Sequence, residues 1–323
     1  MMNNTELVRK WSELSENKNT SGYKSLRISA ECICDLFIGV NKDGRRCLIL
    51  SLPPRFTLDF NEIQKQNLTI KYFRDTNFIV LQLNDPRFHD LFDDLVLSMY
   101  HGIRNIQDAR EYSKYFIQAF HRWSEFFEDK ISDLLSEDAI KGMIGELLIL
   151  KSLIEEADRS EINTILNAWK GPYGKGNDFE LETKHLEVKT KTLTAVDVRI
   201  ASEFQLETPA GKGLDLIVIT LISDFNTGTT IENILVEIRE LIQARLGDMT
   251  ILIRAINQKG LTFGNLTQYN IYRFKPVKRI TYDCNAVGFP KLCRSEIPVE
   301  VNAVNFDLRV SLLGSFIISQ NDF

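Results

Sequence analysis

The sequence predicts a mixed α+β / α/β protein, with a mixed central sheet flanked by helices. Three observations carry that prediction. Period-two alternation and turn signals mark paired strands in the first part of the chain. A very apolar helix, a two-faced hairpin, an almost wholly apolar strand and an amphipathic helix then follow one another between about 131 and 260. Residues 261–323 read as several short strands. The expected organisation is an α+β accessory region at 1–130, a core at 131–260 and a β-rich C-terminal extension at 261–323.

The elements follow in order. Arg27–Val40 and Arg45–Leu52 read as strands joined by Asn41-Lys42-Asp43-Gly44, where Asp-Gly tolerates the positive φ of a tight hairpin. Asn67–Phe73 and Asn77–Leu83 read as a second hairpin. Asp85 is placed to cap a helix with Pro86 at its first position, and Leu91, Leu95, Met99 and Tyr100 continue its periodicity. A further helix is expected over Asp108–Asp129, and another, strongly apolar, over 138–156. Val196–Ser202 alternates as a strand. Leu214–Ile222 is too apolar to keep a wet face and should lie at the centre of a sheet. Thr229-Thr230-Ile231-Glu232 reads as a capping box. It opens a helix with Ile231, Ile234, Leu235, Ile238, Leu241 and Ile242 on one face and Gly247 at its stop. Met249–Ile256 is expected to return as a strand.

Composition narrows the function. Of 323 residues, 44% are hydrophobic and 26% charged, which excludes a disordered or collagen-like chain. The longest clean apolar stretch, Leu216–Leu221, falls far short of the roughly 18–20 residues that span a bilayer. The polar start has no apolar signal-peptide core, so a cytoplasmic protein without a membrane partner is expected. Cys32, Cys34, Cys47, Cys284 and Cys293 are odd in number and lack zinc-type spacing, and Cys32 and Cys34 read as buried strand residues. The histidines His89, His101, His121 and His185 are scattered. A net charge of −5 means that any nucleic-acid binding must come from a local basic surface.

Chemistry concentrates in Asn177–Lys191. With Thr183-Lys184 at its turn, this segment forms a hairpin that sets Asp178 opposite Lys189 and Glu180 opposite Glu187. Phe179, Leu181, Leu186 and Val188 then share one face, and Asp178, Glu180, Glu187, Lys189 and Lys191 the other. Opposed carboxylates destabilise a bare sheet, and a divalent cation removes that cost. Carboxylates with a backbone carbonyl suit Mg²⁺, which keeps several waters and accepts phosphate oxygens. Lys189 points the same way as Glu187 and could position an attacking water or neutralise phosphate charge. A solvated face with incidental ion pairs would show the same alternation. Two features weigh against it. Glu146 is the one carboxylate in the run Gly142–Leu150, where an unpaired charge is costly, and Gly142 and Gly145 would let the helix approach the sheet closely. Gln205 follows the 196–202 strand and could hold a water or a phosphate oxygen.

This order of a helix with Gly-Glu, then Asp, then Glu-x-Lys, then a strand and Gln-Leu resembles the PD-(D/E)XK nuclease superfamily, with its restriction-endonuclease-like core. More narrowly, Gly142–Leu150, Trp169-Lys170-Gly171-Pro172, Asn177-Asp178-Phe179, Glu187-Val188-Lys189-Thr190 and Phe204-Gln205-Leu206 resemble the bacterial defence-associated PD-(D/E)XK motif proteins. The resemblance spans about 138–222. It implies that Asp178 and Glu187, with the Val188 carbonyl and Glu146, ligate Mg²⁺ or Mn²⁺, that Lys189 is the catalytic lysine and that Gln205 is auxiliary. Asn177 stands where the family name has proline.

The implied activity is hydrolysis of DNA by a metal-dependent endonuclease in a restriction or phage-defence system. Protein partners of such a complex, and a homodimer able to cut two strands, are the implied associations. A catalytically silent nucleic-acid-binding subunit and a ribonuclease are the alternatives. Two other segments stay open. Gly171–Gly176 lacks a P-loop ending and reads as a loop before the hairpin that could contact a phosphate backbone. Tyr269–Arg279 mixes bases and aromatics, either as a nucleic-acid surface or as an ordinary strand pair with basic outer positions.

Overall fold

The computed structural model describes residues 2–15, 22–60, 62–128, 134–174, 176–301 and 303–323. The chain divides into two compact units, Met1–Ile131 with Asp248–Ile253, and Ser132–Gly247 with Arg254–Phe323.

In the first unit α1 (Asn4–Ser15) precedes β1 (Tyr23–Arg27), β2 (Asp35–Asn41), β3 (Arg46–Ser51), β4 (Ile63–Gln64), β5 (Leu68–Phe73) and β6 (Phe78–Leu83). These form one antiparallel sheet of order β1-β2-β3-β6-β5-β4. Helices α2 (His89–Ile103) and α3 (Ala109–Ser124) follow. Both expected hairpins form. Asn41 Oδ1 accepts from the Asp43 and Arg45 N–H groups, and Gly44 takes φ +76°. Asp85 accepts from the Arg87 N–H, with Pro86 opening the turn that leads into α2. Asp108 caps α3, whereas Asp129, the expected end of that helix, lies outside the described residues. One expectation needs correction. The strand expected over 27–40 is interrupted, because the Arg27 guanidinium binds the Ser29 and Cys32 carbonyls and holds 28–34 as a loop. Cys32 and Cys34 are buried, but in that loop and not in a strand.

The second unit contains α4 (Glu137–Glu156), α5 (Ile162–Ala168), β7 (Phe179–Glu180), β8 (Lys184–Thr192), β9 (Asp197–Ile200) and β10 (Gly213–Ser223). It continues with α6 (Ile231–Ala244), β11 (Phe274–Asp283), β12 (Phe306–Arg309) and β13 (Ile317–Asp322). A further helix, α7 (Met249–Gln258), runs from the inserted piece of the first unit into the second. The central sheet has the order β13-β11-β10-β8-β7 and is mixed, with β8 and β10 parallel and the other pairs antiparallel. This is the mixed sheet flanked by helices that the sequence predicts. Leu214 to Leu221 of β10 are all buried, and Asp215 among them is paired with Lys184 at 2.7 Å. β10 alternates its side chains between two layers. Leu214, Leu216 and Val218 join an apolar cluster with Ile200, Leu206, Tyr282 and Leu308, while α4 lies against β8 on the other side.

Several expectations change here. Met249–Ile256 is the start of helix α7, not a strand. Met249, Leu252, Ile253 and Ile256 are buried at helical spacing, and Asp248 accepts from the Thr250 N–H at the helix start. The cap of α6 is Thr230, which accepts from Asn233 N–H. The box with Thr229 does not form, because the Glu232 carboxylate takes the Asn270 amide instead. The 177–191 hairpin turns at 182–183, so Phe179 pairs with Leu186 and Glu180 with His185. Asp178 is therefore not opposite Lys189, nor Glu180 opposite Glu187. The slip is an even number of residues, so both faces keep their expected members. The basic aromatic stretch is a strand only from Phe274 onward, and Tyr269 ends a 3-10 turn before it. Tyr269 and Phe274 are buried, and 274–283 lies between β10 and β13.

The close approach expected of the α4 glycines holds for one of them. A Cβ on Gly145 would stand 2.4 Å from Thr190 Cγ2, whereas one on Gly142 would meet nothing within 4 Å. Gly145→Ala is expected to lower stability by about 1–3 kcal/mol, since the helix must back away from β8. Denaturant unfolding measures this, and Gly145→Ala combined with Thr190→Ala should recover most of the loss. Among the described residues no helix is long and apolar enough to cross a membrane.

Candidate active site

β7 pairs with β8 over only two residues, so β8 loses that neighbour beyond Leu186. Asp178 takes up the freed backbone, its Oδ2 accepting the Val188 N–H at 2.8 Å. The Asp178 carbonyl in turn accepts from Lys170 and Gly171 N–H at 2.7 and 3.0 Å, tying the glycine-rich loop to the same residue. Glu146 arrives from α4 and is held by the buried Trp169, whose Nε1–H donates to Oε2 at 2.7 Å.

A second set of contacts lies along β8. Lys189 Nζ stands 2.8 Å from Glu187 Oε1 and donates to Gln205 Oε1 at 3.1 Å. Gln205 Oε1 also accepts the Ala201 N–H at 2.7 Å, which orients the amide. The ammonium meets Glu187 Oε1 outside hydrogen-bond geometry, so this buried oxygen is ion-paired but accepts no hydrogen bond among the described residues. Asn177 is buried between these groups. Its amide donates to Glu187 Oε2 at 3.3 Å and to the Gln205 carbonyl at 2.7 Å, and its Oδ1 meets His185 Nδ1 at 3.1 Å. Asn177→Leu keeps the volume and removes the amide. It is expected to cost about 1–3 kcal/mol in denaturant unfolding, because two buried acceptors lose a donor.

The loop bearing Gln205 is braced from the C-terminal part of the chain. Buried Glu203 pairs with Arg294 at 3.5 Å and accepts the Val304 N–H at 3.1 Å. Cys293 Sγ donates to the Leu206 carbonyl at 3.3 Å.

These groups border a cleft of about 530 Å³ lined by Glu146, Asp178, Lys189, Gln205, Arg199 and Lys259. Gly142, Gly171, Gly174 and Gly176 form further parts of its wall; Lys175, between the last two, lies outside the described residues. A larger cavity of about 1130 Å³ in the first unit borders Asp35, Tyr72, Arg74, Asn77 and Tyr112.

Three carboxylates in one place repel one another. Burial, then the charge of Asp178, pushes Glu146 up to about 8, against the Trp169 hydrogen bond and Lys259. Burial and Asp178 push Glu187 up to about 7, against Lys189 and Asn177. Burial also raises Asp178, opposed by the Val188 N–H, Lys189 and Lys259.

A divalent cation fits this donor set. A Cβ placed on Gly171 would stand 2.0 Å from Glu146 Oε2 and 2.9 Å from Asp178 Oδ1, so the two oxygens face a common space that only glycine leaves open. Among the described residues no group of three or more His, Cys, Asp or Glu side chains could hold a metal ion, so the donor set at this space is the pair Glu146 and Asp178.

Of the residues singled out in the sequence, Glu146, Asp178, Val188, Lys189 and Gln205 line the cleft. Glu187 lies beneath it, 1% exposed, reached through Lys189 and Asn177. Sequence reasoning missed Lys259 and Arg199 as cleft cations, Trp169 as the anchor of Glu146, and the part played by Asn177. Lys259 was hidden by the misread helix α7, although Asp248 before an apolar i, i+3, i+4, i+7 run was a helix signal.

The DUF4420 family model, described as "Putative PD-(D/E)XK family member", matches residues 7–311. No curated protein and no solved structure matches the chain.

Proposed function

Because the chain belongs to the DUF4420 family of PD-(D/E)XK proteins, we propose that it is a divalent-metal-dependent endonuclease that hydrolyses phosphodiester bonds of DNA. The observation that carries this reading is the meeting of Glu146, Asp178, Lys189 and Gln205 at one cleft, with Glu187 directly beneath.

Asp178 and Glu146, whose oxygens face the space beside Gly171, would hold Mg²⁺ or Mn²⁺ together with the Val188 carbonyl, and Glu187 would join them only on release from Lys189. Such a cation, when bound, acidifies water and neutralises phosphoryl charge. The remaining work belongs to side chains of this chain. Lys189 is held between Glu187 and Gln205, so its ammonium is oriented before substrate arrives. There it positions the attacking water and stabilises charge developing on the phosphoryl oxygen. Trp169 and Asn177 keep Glu146 and Glu187 in place. Lys259 supplies local positive charge that a net charge of −5 denies to the molecule as a whole, beside Arg199, whose guanidinium is paired with Asp307 at 3.2 Å. In-line attack would leave a 5′-phosphate, by analogy with the superfamily. The same analogy supports a cytoplasmic restriction or phage-defence role, with complex partners or a homodimer.

One observation favours a silent nucleic-acid-binding subunit, namely the burial of Glu187 under its own ion pair. The same site could also cut RNA. Incubation of supercoiled plasmid with Mg²⁺ or Mn²⁺ separates these readings. Nicking or linearisation supports the endonuclease. Intact plasmid with degraded RNA supports the ribonuclease, and intact substrates without metal binding in calorimetry support the silent subunit.

A further inference from the structure

We propose that Phe204 is a stacking platform for an unpaired nucleobase next to the scissile phosphate, so that the cleft takes a strand that is single or locally unpaired. This rests on the nuclease reading and adds the substrate class to it.

Phe204 lines the cleft and is 55% exposed. Its backbone cannot readily turn it inward. Glu203 before it is buried and bound to Arg294 and Val304. Gln205 after it is fixed through Lys189 and Ala201, and Leu206 is buried with its carbonyl engaged by Cys293. The ring is thus presented from a braced loop, one residue from the group that contacts Lys189.

The surroundings match a nucleotide. Lys189, Arg199 and Lys259 border the same cleft and suit phosphate oxygens. Gly142, Gly171, Gly174 and Gly176 leave its wall without bulky side chains, which gives a planar base room. A phenyl ring has neither donor nor acceptor, so in a groove it can meet no more than a thymine methyl group. What it offers every base alike is its π-face. In a duplex the faces of interior bases are covered by their neighbours, so the ring meets a base face only where the stack is locally opened.

The test compares a fluorescein-labelled single-stranded DNA oligonucleotide with its duplex, with Ca²⁺ in place of Mg²⁺. Binding is read by anisotropy, and stacking by quenching of 2-aminopurine within the strand. The proposal predicts tighter binding of the single strand. It also predicts that Phe204→Ala weakens single-strand binding about tenfold, abolishes the quenching and leaves duplex binding within twofold. Phe204→Trp should retain both signals. Because the ring is exposed, Phe204→Ala should melt like the wild type. Equal affinity for the two forms, an unchanged Phe204→Ala, or no binding of either form overturns the proposal. Plasmid cleavage by the wild type is scored separately, so the nuclease reading can stand while the platform falls.

Discussion

Asp178→Ala and Lys189→Ala are each expected to reduce DNA cleavage by at least about 10²–10³-fold, the usual cost of removing a charge-stabilising group from an active site. The two losses have different origins. Asp178 accepts the Val188 N–H, anchors the glycine-rich loop through its carbonyl and faces, with Glu146, the space beside Gly171, so on the proposed reading its removal takes away a ligand of the cation. Excess Mn²⁺ should recover part of that loss. Lys189 contributes its ammonium directly, and higher metal concentrations should not replace it. Lys189→Ala also leaves Glu187 buried without its cation, but that carboxyl can stay protonated, so the fold should persist. Gel analysis of supercoiled plasmid, with a thermal melt of each variant, provides the measurement. Cleavage at wild-type rates by a folded Lys189→Ala protein would remove this cleft as the catalytic site.

The second large effect is on stability. In metal-free buffer the melting temperature is expected to fall between pH 6.5 and 8, and Mg²⁺ to restore more of it at pH 8 than at pH 6.5. The sign follows from proton linkage. Unfolded glutamates ionise near 4.5, whereas Glu187 and Glu146 in the fold ionise near 7 and 8. Through this range the folded protein therefore carries more protons than the unfolded chain, and stability declines as they leave. The contribution is complete below about 4.5 and is lost as pH passes through the two folded values. The window also avoids opposing groups. His89, His101 and His185 are lowered by burial, so their effect is spent above the ordinary histidine value of 6.5. Mg²⁺ competes with the protons and should bind more tightly as pH rises. Glu146→Gln should flatten the pH slope in differential scanning calorimetry. A slope unchanged by Glu146→Gln would show that the carboxylates are not strained in this way.

Much of the architecture was legible because its signals are local. Asn41–Gly44 encodes its turn, and the apolar run from Leu214 to Leu221 belongs in a sheet interior whatever surrounds it. A lone glutamate among Met143, Ile144, Leu147 and Ile149 needs a partner, and the fold supplies Trp169. The 177–191 segment shows where such reasoning stops. Its alternation establishes which side chains share a face, yet registers two residues apart satisfy the same alternation, and the turn settled between them. Met249–Ile256 was ambiguous for a related reason, since a short apolar run serves either a buried strand or a helix.

Local pattern by itself determined the two N-terminal hairpins, helices α2, α3, α4 and α6 and the face shared by Glu187 and Lys189, because periodicity and charge placement act over a few residues. Tertiary structure alone decided what surrounds that pair. Glu146 lies 32 positions before Asp178 and Lys259 lies 81 after it, while Arg294 braces the Gln205 loop from beyond both. Such convergence depends on how α4 seats on β8 and where β7 ends. Those outcomes follow from packing across the whole unit, where the Gly145 contact with Thr190 and the backbone freed beyond Leu186 determine which distant groups can meet.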